Sequence, residues 1–148
     1  MDVRFLHLLR PYRFESPFAG EFVLLLLITE TRVTPEERQV LLRSILDARC
    51  RYVMCRGADC EEWHDAIDDE INVAGMGAED EGDPPPHFVM TTWHEDESLQ
   101  ETLEFAAVNT AFDDFVPTVI VVAEIGGDGH ELVRARTLWK RLARGTGP

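Results

Sequence analysis

The stretch 22–29 reads Phe-Val-Leu-Leu-Leu-Leu-Ile-Thr, and its first seven residues form the longest apolar run in the chain. A run with no polar position cannot alternate between core and water, so as a strand it needs cover on both faces. Seven apolar residues fall far short of the roughly 18 to 20 that span a bilayer. A strand buried on both sides implies a sheet with helices above and below it.

The rest of the chain supplies such helices. Residues 1–20 carry a weak pattern with turn signals at Pro11, Pro17 and Gly20, and are expected to form a less regular N-terminal segment. Thr34, Pro35 and Glu37 combine an N-cap, a first-turn proline and a reciprocal Glu, which predicts a helix continuing to about Cys50. Its apolar stripe is Leu41, Leu42, Ile45, Leu46 and Ala48. Residues 51–55 predict a second strand. Asp59 with Glu62 predicts a capped helix from Cys60, with Trp63, Ala66, Ile67 and Ile71 facing inward. Residues 74–86 hold three glycines, four acids and three consecutive prolines, the composition of a mobile acidic loop. Residues 87–92 and 118–123 predict the third and fourth strands. Ser98 with Glu101, and Asp128 with Glu131, are expected to cap the helices that follow them.

Four strands alternating with four helices imply right-handed crossovers and a mainly parallel sheet. The expected class is α/β, a small three-layer sandwich with strand order 2-1-3-4, which resembles flavodoxin-like and Rossmann-like folds in general. At 148 residues a single domain is expected. In that order the second and third helices share one face of the sheet, and the first and last share the other.

Charge is the least ordinary property of the chain. Its formal net charge is -14, which disfavours direct binding of nucleic acid. From Gly57 to Val133 there is no Lys or Arg, and these 77 residues hold 21 of the 28 acids. Solubility does not require excluding the opposite sign, so this segregation points to a basic protein partner steered to one side. The expected contact residues are Glu61, Asp65, Asp68 and Asp69 on the second helix and Glu101 and Glu104 on the third. Opposite charge faces would also permit a homo-oligomer. The first ten residues lack the pattern of a secretory signal, and three cysteines at five-residue spacing suit reduced thiols, so a cytoplasmic protein without membrane contact is expected.

A second reading places a small-ligand or metal-dependent hydrolytic site at the carboxyl ends of the strands, where open α/β sheets bind ligands. Its candidates are Glu30, Asp59, Cys60, Trp93, His94, Asp96, Asp128 and His130. Cys60 opens a helix, where the dipole favours thiolate, and His64 lies one turn on. Gly126, Gly127 and Gly129 suggest a phosphate-cradling turn, although no GxGxxG or Walker lysine is present. Caps and turns explain most of these residues structurally, so neither a cofactor nor a metal is assigned. The expectation is a non-enzymatic interaction module, an adaptor, inhibitor or immunity-like protein.

Overall fold

The structure is a computed structural model that describes residues 1–17, 19–77 and 87–145. Its elements run β1 (Asp2–Leu8), β2 (Phe22–Ile28), α1 (Pro35–Asp47), β3 (Cys50–Gly57), α2 (Cys60–Val73), β4 (Met90–Trp93), α3 (Leu99–Val108), β5 (Val119–Ile125) and α4 (His130–Gly145). The class is α/β, with a parallel five-stranded sheet in the order β1-β5-β2-β3-β4. Of the expected loop 74–86, residues 78–86 lie outside the described residues.

All seven residues of β2 are buried. Leu24, Leu26 and Ile28 enter the layer beneath α1 and α2, while Val23, Leu25 and Leu27 enter the layer beneath α3 and α4. Each buried leucine contributes about 1.5–3 kcal/mol relative to exposure. The α1 capping box forms as its sequence demands, with Thr34 Oγ1 accepting from the Glu37 amide at 3.1 Å and Glu37 Oε1 accepting from the Thr34 amide at 3.1 Å.

Three expectations are corrected. The N-terminal segment contains a strand: Val3, Phe5, Leu6 and Leu8 are only half-buried and interleaved with Asp2, Arg4 and His7, the broken pattern of an edge strand. The strand order also differs, because β2 lies between β3 and β5, not between β3 and the strand that follows Val89. The helices sort differently as a result. From β2 through β3 to β4 the sheet grows in one direction, so α1 and α2 share a face; the connection from β4 to β5 runs backwards, and a right-handed crossover then requires the other face. Hence α2 and α3 lie on opposite sides of the sheet, both flanking β4.

Charge segregation therefore runs along the sheet, not through it. The β1 edge carries Arg4 and is backed by α4 with Arg134, Arg136, Lys140, Arg141 and Arg144, and the Arg136 guanidinium lies 5.1 Å from the Phe5 ring centroid. The β4 edge lies between two acidic helices.

Candidate functional site

The eight candidates at the carboxyl ends of the strands fall into two separate groups. Glu30, Asp128 and His130 stand where β2 and β5 end. Since α1 follows β2 onto one face and α4 follows β5 onto the other, this is the crevice where sheets of this kind take ligands.

The crevice is filled by the protein itself. A Cβ on Gly126 would collide with the Glu30 side chain, and one on Gly127 with Thr29 Oγ1 and Glu124 Oε2; both glycines have positive φ, at 71° and 63°. The Thr29 and Glu30 amides donate to the Ile125 carbonyl at 3.4 and 3.2 Å. Glu124 is the buried carboxylate beneath this roof. It accepts from the Leu132 amide at 2.8 Å and from Thr29 Oγ1–H at 2.8 Å. Asp128 Oδ1 accepts from the His130 amide at 2.9 Å. Two of the amides that a phosphate would seek at the start of α4, those of His130 and Leu132, are thus already held by carboxylates. Glu30 faces outward, and its hydrogen bond from Arg32 at 3.1 Å holds its carboxyl below the ordinary range.

Asp59, Cys60, Trp93, His94 and Asp96 gather where β3 and β4 end. Asp59 does not cap α2 with its side chain: it adopts the left-handed conformation, with φ 54°. The tight turn forces this, since Gly57 at φ 110° packs on the Ile28 carbonyl and the Ala58 amide bonds to that same oxygen. Cys60 is buried, and burial followed by the charge of Glu95 pushes its thiol pKa up. Desolvation thus outweighs the helix dipole, and the nucleophilic reading of this cysteine loses its basis. Cys50 and Cys55 sit in β3, where burial raises both thiols, Cys50 to about 12.

Trp93 and His94 point to opposite sides. Trp93 is 43% exposed at the end of the edge strand, with its ring centroid 4.6 Å from that of His64 on α2. His94 is buried under α3, 4.8 Å from the Phe105 ring. Its Nε2 lies 2.8 Å from Thr92 Oγ1 and its Nδ1 2.9 Å from Glu97 Oε2. Hydrolases use this order of hydroxyl, imidazole and carboxylate. In this chain all three groups lie within six residues and Thr92 also bonds the buried Tyr52 hydroxyl, so the chain of bonds pins the turn into α3. Among the described residues no group of three or more His, Cys, Asp or Glu is placed to hold a metal ion. Wider grooves lie elsewhere, among them one of ≈ 750 Å³ at the amino ends of β2 and β3, one of ≈ 380 Å³ between the segment 13–15 and α1, and one of ≈ 330 Å³ between α3 and α4.

The six acids expected to form one partner face are likewise divided. Asp68 lies against the edge strand, accepting from Thr91 Oγ1–H at 2.6 Å, while His64 Nε2 approaches the same hydroxyl at 3.0 Å. Asp65 is beside His64, and Glu61 lies one turn earlier on α2. Asp69 instead lines the groove between α1 and α2 with Arg38 and Gln39. Glu101 is one turn before Phe105 and so on the β4 side of α3, whereas Glu104 lines the groove shared with α4. The sheet edge thus keeps Glu61, Asp65, Asp68 and Glu101, and gains Glu95 and Glu97. Thr91 was not singled out from sequence, yet the strand alternation that buries Val89 toward α2 also places Thr91 and Trp93 on that side.

A family model described as a domain of unknown function (DUF7684) matches residues 3–141, from β1 into α4. The chain belongs to that family. No curated protein and no solved structure matches it. The matched range takes in all five strands except Asp2. Among the described residues no helix is long and apolar enough to cross a membrane.

Proposed function

We propose that the chain is a non-enzymatic interaction module that receives a basic protein partner at the β4 edge. The observation that carries this reading is the half-exposed Trp93, packed at a tilt of 56° against His64, with Asp65 and Asp68 beside that imidazole and Glu95 and Asp96 following in sequence, in a stretch from Gly57 to Val133 that holds no Lys or Arg. An aromatic anchor within a rim of one charge sign combines apolar contact area with electrostatic steering. The adaptor, inhibitor or immunity-like role belongs to this same reading, and a cytoplasmic setting suits three reduced, buried thiols.

The crevice between β2 and β5 supports no comparable reading, because the glycine turn packs on Thr29 and Glu30 and the His130 and Leu132 amides are already bound. The test uses an oligolysine peptide and charge reversals. Asp65→Lys and Glu101→Lys together are expected to slow association and flatten its salt dependence. Asp69→Lys with Glu104→Lys, in the two helix grooves, is the matched control. Equal effects from the two sets would return the acidic rim to a solvated surface, and circular dichroism checks that each variant remains folded.

A further inference from the structure

We infer that the outer edge of β4 is a strand-addition site for an extended, basic segment of a partner protein; this inference rests on the acidic-edge reading and gives it a binding mode. Parallel ladders alternate, so successive residues of an edge strand direct their amides and carbonyls inward and outward in turn. The His94 amide donates inward to the Cys55 carbonyl at 2.9 Å, which places Thr92 and Met90 inward as well. Val89, Thr91 and Trp93 then face outward. The Val89 amide is taken by the Met76 carbonyl at 3.1 Å. Among the described residues no strand pairs with β4 beyond β3 and nothing accepts from the Thr91 or Trp93 amide. Among the described residues, these two leave a short run of backbone donors and acceptors open at the edge.

Natural edges are blunted by lysine, proline, bulges or inward-pointing charge. At four residues β4 is short, which itself limits pairing, but Met90, Thr91, Thr92 and Trp93 contain none of these other devices, and three of the four are strand formers by residue type. The side chains flanking the edge are instead sorted by sign. An incoming strand would place alternate side chains toward Asp65 and Asp68 on α2 and toward Glu97 and Glu101 on α3, with Glu95 and Asp96 at its end. Lys and Arg match both flanks, and Trp93 offers its ring to an apolar or cationic residue.

The chemistry of the edge bears on one other occupant and one other edge. A second copy of the chain could meet it favourably only through its own β1 edge, because any other face would bring part of another net charge of -14 to the same place. The β1 edge is longer but lies beside the arginines of α4, so it suits the opposite charge.

The experiment uses the full chain and two peptides, an alternating lysine–valine peptide and its fully N-methylated counterpart, which keeps the charge and has no backbone donor. At low salt the parent peptide is expected to bind at least about tenfold more tightly than the N-methylated one. Its binding should slow amide exchange at Thr91 and Trp93 while leaving Thr92 and His94 unchanged. Asp65→Lys, fully outside the ladder, should weaken the parent peptide.

Equal affinity of the two peptides, or binding without protection at Thr91 and Trp93, would overturn strand addition while leaving the acidic edge as a docking surface. Failure of both peptides to bind would overturn both readings. Protection of Thr91 and Trp93 that rises with protein concentration in the absence of peptide would assign the edge to a second copy and overturn the inference.

Discussion

Between β2 and β5 the strand ends are roofed by Thr29, Glu30 and the glycine turn, with Glu124 bonded beneath them; at β4 the strand ends beside a half-exposed tryptophan with backbone groups facing outward. Both places lie at the carboxyl end of one parallel sheet. The first is packed by its own turn and spends its two carboxylates on the His130 and Leu132 amides, while the second leaves backbone groups to solvent or to a partner. Position in the fold therefore nominates a site, and the local hydrogen-bond account decides whether anything can bind there.

Substitutions should divide along the same line. The largest effect is expected at the centre, where Leu26→Ala removes a fully buried side chain and should cost about 2–5 kcal/mol in urea unfolding. Glu124→Leu leaves the buried Leu132 amide without its acceptor, at a cost of about 1–3 kcal/mol in the same measurement. If that variant bound phosphate more tightly than wild type, the crevice would be a latent anion site, and the contrast with β4 would break.

At the open end, Trp93→Ala should change stability by about 0.5 kcal/mol or less. A cost as large as that of Leu26→Ala would show that the edge is part of the core.

The mildest effects involve titration. Burial acts to raise the Glu70 carboxyl, but bonds from Gln39 at 2.9 Å and Arg43 at 3.0 Å outweigh it and hold its pKa below the ordinary value. A folded-state pKa below the unfolded one gives stability that is present above the ordinary carboxylate range and is lost as pH falls through the lowered value. Arg43→Ala should flatten that acidic limb by no more than about 1 kcal/mol, since Arg43 is exposed and its pairing is screened. On the thiol side, alkylation of Cys60 should be slower at neutral pH than that of a free cysteine, because the raised pKa leaves less thiolate. A rate equal to that of a free thiol would contradict its burial.

Local signals were strong enough to place most elements. Thr34 and Glu37 mark the start of α1, Ser98 and Glu101 that of α3, and the apolar stretch 22–28 identifies the central strand. Pairing order was a different matter. Nothing local to residues 119–125 says that they join β2 and not β4, because that choice depends on which side α3 returns across. β1 was obscured because an edge strand mixes charged and apolar residues, and Asp59 because its backbone turn, not its residue type, controls its side chain. The acidic residues were visible, but their division among the β4 edge and two helix grooves depended on helix phase and on that same return of α3. Trp93 and His94 show the limit most sharply: adjacent in sequence, one is exposed and one buried.

The placement of β5 between β1 and β2 also governs the order in which the sheet can be completed. β2 and β3 are neighbours in both sequence and space, as are β3 and β4, so these three strands can zip together early. β1 gains a partner, and β2 its second one, only after residues 119–125 arrive from the far end of the chain. That contact closes a long loop, the slow kind of step in sheet formation. Until it forms, the most apolar strand of the protein has one uncovered side. During synthesis this flank is the part of the nascent chain most exposed to mispairing, and a chaperone would have the most apolar surface to shield there.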